Sequence, residues 1–181
     1  GVDIYCSAGT AKALGLYGHR LHILKAGHQM RIPGTDWIIL PFESIHDSAE
    51  PLAFLIGKGD EKLLFATDTN YIPHRFRGLT HIMLGVDYDK DLLMEEIETG
   101  PDNMTGHRIR VLKHHMSLQT AKRFFQVNDM TLVREIYLLH LSNTRSDALR
   151  FKKEIEEIAG RPVTIGGSVG ERFGERKRAS A

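Results

Sequence analysis

The sequence predicts a single α/β domain built in layers. Short apolar runs of strand length recur along the chain, and in its second half they alternate with stretches of helical, amphipathic spacing. A length of 181 residues, with 41% hydrophobic and 26% charged, suits one soluble globular domain with a sizeable core.

Val2 to Cys6 reads as a short buried strand, and Ser7 as the cap of a helix over Ala8 to Leu14 that Gly15 ends. His19 to Ile23 and Gln29 to Ile32 read as short strands around the turn at Gly27. Trp37 to Phe42 is an apolar strand that runs into the loop carrying His46. Leu52 to Ile56 and Lys62 to Ala66 read as a hairpin with GKGDE as its turn. Thr80 to Val86 is a buried strand, Asp91 to Glu98 a helix, and Thr99 to Gly106 a breaker stretch. Arg108, Arg110 and Lys113 then add positive charge close to His114 and His115, a solvated basic strand being the equal structural alternative. Ser117 to Val127 is a helix with a Ser cap, and Glu135 to Leu139 a strand. Ser146 to Ala159 is amphipathic, with Leu149, Ile155 and Ile158 on one side, and Gly160 stops it. Pro162 to Ile165 is a last strand. The domain is expected over 1–167, and the charged, Gly-containing tail over 168–181 is expected to be disordered.

A net charge of +1 gives no global field to steer the protein to nucleic acid or a membrane, though it leaves room for a local basic patch. Cys6 is the single cysteine, so no internal disulfide forms, and a reduced, cytoplasmic protein is expected. No apolar run is long enough to span a bilayer, and no signal peptide is evident.

Three potential metal ligands follow apolar strand runs: His46 in PFESIHDSAEP, Asp68 in LLFATDTNYI and His140 in IYLLHLSNTR. Singly, each has a common structural explanation. His46 suits a surface loop, Asp68 a turn or cap, and His140 a strand-closing histidine with a local partner. Together they form a set that zinc or manganese accepts, imidazole plus carboxylate held at strand ends. His114 and His115 are adjacent just before the helix that begins near Ser117. A helix N-terminus attracts phosphate, and an imidazole beside it can give a proton to a leaving oxygen.

FESIHDSAEPLAFLIGKGDEKLLFATDTNYI, HHMSLQTAKRF and IYLLHLSNTRSD, in this order, resemble the metallo-β-lactamase fold hydrolases. The likeness is strongest to their phosphodiesterase and nuclease branch, with its ribonuclease Z-like and phage or bacterial exonuclease-like members. It spans Val2 to Ile165 and implies an αββα sandwich. It also implies two divalent metal ions, zinc or manganese, with His46 on the first, Asp68 bridging and His140 on the second. His115 becomes the phosphate-contacting or proton-donating residue, with His114 the second choice. Asp47 is a candidate acceptor for a ligand histidine, its place in the turn being the structural alternative.

The chain departs from the family in two places. MLGVDYDKDLL puts Gly85, Val86 and Asp87 where relatives carry a glutamate–alanine–asparagine type of segment. The family's His-x-His-x-Asp-His run, which supplies most of the ligands, has no match. The expectation is a C-terminal portion of a longer enzyme, lacking that run and the first half-sheet. Three ligands leave a shell open, so weak or no metal binding is expected of this chain alone. A bared sheet face also makes a homo-oligomer reasonable. The function expected of the full-length protein is hydrolysis of a phosphodiester, in nucleic acid or a cyclic nucleotide. A non-catalytic domain of the same fold and a lactone or thioester hydrolase are the alternatives.

Overall fold

A computed structural model describes residues 1–101 and 104–166. The chain begins with β1 (Ile4–Cys6), α1 (Ala8–Ala13) and β2 (Leu21–Ile23), and β1 and β2 pair in parallel as a separate two-stranded sheet. The next strands build a seven-stranded sheet. Its members are β3 (Met30–Arg31), β4 (Ile38–Glu43), β5 (Leu52–Lys58), β6 (Glu61–Ala66), β7 (His81–Gly85), β8 (Glu135–Leu139) and β9 (Val163–Ile165). They lie side by side in sequence order. Between β7 and β8 come α2 (Lys90–Thr99), α3 (Thr105–His114) and α4 (Leu118–Val127), and α5 (Ala148–Ala159) precedes β9.

The direction of the strands places the site. The pairs from β3 to β6 are antiparallel, and those from β6 to β9 are parallel. β4 therefore runs the same way as β6, β7 and β8, and all four finish at one edge of the sheet. In open sheets with parallel strands that edge is where loops gather functional groups.

One sheet face forms the core. Leu64, Ile82, Leu84, Ile136, Leu138 and Val163 are buried there against Leu118, Ala121, Phe125, Phe151 and Ile155 of α4 and α5. The cross-strand row Leu55–Leu64–Ile82–Ile136–Val163 lies on this face, as strand alternation requires. The neighbouring row, Phe54–Phe65–Met83–Tyr137, points to the opposite face and is only partly buried.

Several expectations change. β1 is exposed to half-buried rather than buried, because it sits in the small sheet and not in the core. β2 and β3 are shorter than their apolar stretches. The basic stretch is a helix: α3 takes in Arg108, Arg110 and Lys113. Arg108 is buried and donates to the Pro101 carbonyl at 3.0 Å. Val111 packs in a small second cluster with Tyr88 and Leu93. α5 starts two residues later than its periodicity suggested, since Asp147 caps it by accepting from the Arg150 amide. The tail over 168–181 lies outside the described residues. Among the described residues, no helix is long and apolar enough to cross a membrane.

Candidate metal centre

Four of the strands that finish at the shared edge each deliver one polar side chain. His46 lies in the loop after β4, Asp68 two residues past β6, Asp87 two past β7, and His140 directly after β8. His115 arrives from the helical side as the C-cap of α3. His140 adopts a left-handed backbone, φ 59°, a conformation uncommon outside glycine and one that gathers at functional sites.

Backbone bonds lock these segments together. The Asp87 amide donates to the Met116 carbonyl at 2.9 Å, and the Ser142 amide donates to the Asp87 carbonyl at 2.8 Å. Asp87 is thus tied to the segments bearing both His115 and His140. On the other side, the Ile45 amide donates to Thr69 Oγ1 at 3.0 Å, and the Asn70 amide to the Ile45 carbonyl at 3.0 Å. The Ser44 hydroxyl donates to the Asp68 carbonyl. The His46 and Asp68 loops therefore form one unit.

Two overlapping donor sets result. His46, Asp68 and His115 form one, Asp87, His115 and His140 the other, and the ligand atoms within each lie within 4.8 Å of one another. Asp68 links the sets as well: its Oδ1 is 3.4 Å from His140 Nε2 and 3.8 Å from His115 Nδ1. The His115 and His140 rings stack at 5.4 Å, and the His46 ring stands edge-on to His115 at 5.3 Å. The donor set, imidazole and carboxylate without thiolate, fits zinc or manganese. Convergence of these groups at a strand edge is the observation that the residues present fit a divalent cation.

Burial shapes the electrostatics. His115 and His46 each expose 11% of their side chains, and Asp87 exposes 15%. Partial burial pushes the Asp87 carboxyl above the usual carboxylate range, against the pull of His115 and His140. Burial likewise pushes the His115 imidazole below its ordinary value, with Asp87 opposing. The two groups meet at 3.1 Å, Nδ1 to Oδ2. Each is a costly charge alone and a satisfied one when paired or bound to a cation. At the rim, the Arg110 guanidinium holds the Asp47 carboxyl down to about 2.

The structure brings His46, Asp68, His115 and His140 to one place, and adds Asp87. The sequence carries a signal for Asp87, an acidic residue directly past a buried strand, the same signal that marks Asp68. His114 lines a cleft beside His46 with Lys25, Ser44 and Pro51 rather than entering either donor set. The helix expected from Ser117 is present, with Ser117 as its cap, and His115 precedes it as expected; what the structure adds is that His115 also closes α3. The first free amides of α4 are already used, Leu118 by the Tyr88 carbonyl and Thr120 by Ser117 Oγ. The phosphate cradle expected there is therefore largely filled by the protein itself.

The architecture is that of the metallo-β-lactamase fold, as comparison with solved structures shows. The metallo-beta-lactamase fold protein YhfI from Bacillus subtilis superposes with a TM-score of 0.63 at 15% identity, over 92% of this chain and 62% of that one. Igni18, a metallo hydrolase from the archaeon Ignicoccus hospitalis, gives 0.62 at 12% identity, over 91% of this chain and 65% of its own. A diphosphatase from the PhnP family gives 0.55 at 16% identity, over 92% of this chain and 56% of its own. The chain thus spans roughly three-fifths of the length of these neighbours. No protein-family model matches the sequence, and no curated protein matches it significantly.

Proposed function

We propose that this chain forms part of a metal-dependent phosphodiester hydrolase, with a nucleic acid or cyclic nucleotide as substrate. The observation that carries the reading is the convergence of His46, Asp68, Asp87, His115 and His140 on one edge of the sheet. The fold likeness supports a hydrolase, and the PhnP-family diphosphatase among the neighbours favours phosphorus over carbon chemistry. His46 would hold one divalent ion and His140 a second, with Asp68 reaching both. The chain's ligands leave room for donors from elsewhere in the full-length protein, in which the centre would be complete.

Bound divalent ions supply Lewis acidity to a phosphoryl oxygen and make a water acidic enough to attack at neutral pH. The chain's own residues supply the rest. Asp87, when ionised, can only accept, so His115 donates to it from Nδ1. That contact fixes the ring, and in the imidazolium form, which the Asp87 carboxylate favours, Nε2 carries a second proton that it can give to a leaving oxygen.

The membership of His115 in both donor sets favours a second role, as a metal ligand. His115→Ala separates the two. A proton donor loses about 10²- to 10⁴-fold in kcat with its metal content intact, and a ligand loses metal.

The function is tested with full-length protein and zinc or manganese. Substrates are bis-p-nitrophenyl phosphate, cyclic nucleotides, single-stranded nucleic acid and a lactone. Metal-dependent phosphodiester turnover that Asp68→Ala abolishes is expected. Turnover unchanged by Asp68→Ala, or confined to the lactone, contradicts the reading.

A further inference from the structure

Among the described residues, one pair of side chains hydrogen-bonds the loop bearing His46 to the helix leading to His115. Arg110 of α3 lies five residues before His115, and Asp47 directly follows His46. The guanidinium grips the carboxylate with two hydrogen bonds, Nε to Oδ2 at 2.5 Å and Nη2 to Oδ1 at 2.8 Å. Among the described residues, this is the hydrogen-bonded link between loop 44–50 and α3. The Asp68 loop has its own tie to the same helix: Asn70 Nδ2 donates to the Leu112 carbonyl at 2.8 Å. α3 is therefore registered on both ligand loops, once through each.

The pair is too exposed, 48% and 33%, to contribute much stability. A two-pronged guanidinium–carboxylate contact does fix distance and orientation. Asp47 Oδ1 also lies 3.5 Å from His46 Nδ1. The Ser48 amide donates to that nitrogen at 3.1 Å, so Nδ1 accepts and the neutral ring carries its proton on Nε2. A cation taking Nε2 requires the proton to move to Nδ1. There an amide N–H cannot receive it, whereas the Asp47 carboxylate can. Ligand histidines are commonly oriented by such an acceptor.

We propose that Arg110 is a positioning residue of the metal centre: by gripping Asp47 it holds a carboxylate ready for His46 Nδ1–H and fixes His46 relative to His115. The proposal rests on the metal-centre reading above, and its test separates the two.

Zinc affinity of the full-length protein is measured by competition with a chromophoric chelator, for the wild type, Arg110→Lys, Arg110→Ala and His46→Ala. The melting temperature of each metal-free protein is measured alongside. Histidine ¹⁵N spectra of the wild type report the His46 tautomer without and with zinc. Arg110→Lys and Arg110→Ala are expected to weaken one zinc equivalent by about 10- to 100-fold, the lysine less, with the metal-free melting temperature unchanged. The wild-type His46 proton is expected on Nε2 without zinc and on Nδ1 with it. If His46→Ala weakens zinc and neither Arg110 variant does, the positioning role is wrong and the centre stands. If the wild type takes up no zinc, or His46→Ala leaves it unchanged, the metal-centre reading fails and takes this proposal with it. A fall in affinity matched by a fall in metal-free melting temperature would mark Arg110 as merely structural and overturn the proposal.

Discussion

Asp87 and His115 hold each other in an unfavourable setting. Burial opposes the charge on both, and each relieves the other at 3.1 Å. Removing the carboxylate charge with Asp87→Asn is therefore expected to lower the His115 pKa further in the metal-free protein. Proton NMR titration of the ring reads this, and an upward shift contradicts it. A second residue-scale constraint lies at Gly85, where an added Cβ would meet the Thr67 carbonyl oxygen at 1.9 Å. Thr67 precedes Asp68, so Gly85→Ala must push the Asp68 loop aside. A cost of about 1–3 kcal/mol, typical of overpacking, is expected in denaturant unfolding, and an unchanged midpoint contradicts the close approach. His46, Asp68 and His140 are legible in the sequence because each trails an apolar strand run. Asp87 obeys the same rule, but its segment shows there only as a departure from the family's pattern.

At the scale of elements, α3 is the piece the sequence hides. Its N-cap, Met104, makes no side-chain cap bond, its first turn holds no acidic residue, and Gly106 sits in that turn. Its inward residues are Arg108 and Val111, one of them charged. Periodicity therefore gives little sign of a helix, and tertiary contact with Tyr88 and Leu93 holds it. By contrast α4 and α5 announce themselves with Ser and Asp caps and strong apolar faces. They are also cross-linked: Lys122 Nζ donates to Glu154 Oε2 at 2.7 Å, which pulls the Glu154 carboxyl below its usual 4.5. A carboxyl lowered on folding stabilises above its unfolded pKa and loses that contribution as pH falls through the folded value. Lys122→Met should therefore cost about 0.2–1 kcal/mol at pH 7, and the difference from wild type should shrink as pH falls below 4.5 and through the lowered Glu154 value. A gap that does not shrink on acidification contradicts this.

For the whole molecule, strand order and direction decide where the candidate ligands gather. The hairpin and the strands after it are readable from apolar runs and turns, whereas the parallel directions that create the shared edge come from the structure. Sequence alternation cannot say what meets the second face of the sheet. Phe54, Phe65 and Met83 line it only partly buried, and the neighbours carry further structure beyond the three-fifths this chain spans. An apolar strip of this kind favours association. The 181-residue chain is expected to self-associate with rising concentration in light scattering, and Phe65→Glu to reduce it. A clean monomer throughout contradicts that expectation.

The central proposal, that five side chains at one sheet edge hold two divalent metal ions, is tested most directly by anomalous diffraction from crystals of the protein grown with zinc. Two peaks are predicted, one between His46 and Asp68 and one between Asp68 and His140. Zinc bound only elsewhere, with these side chains free of it, would contradict the claim.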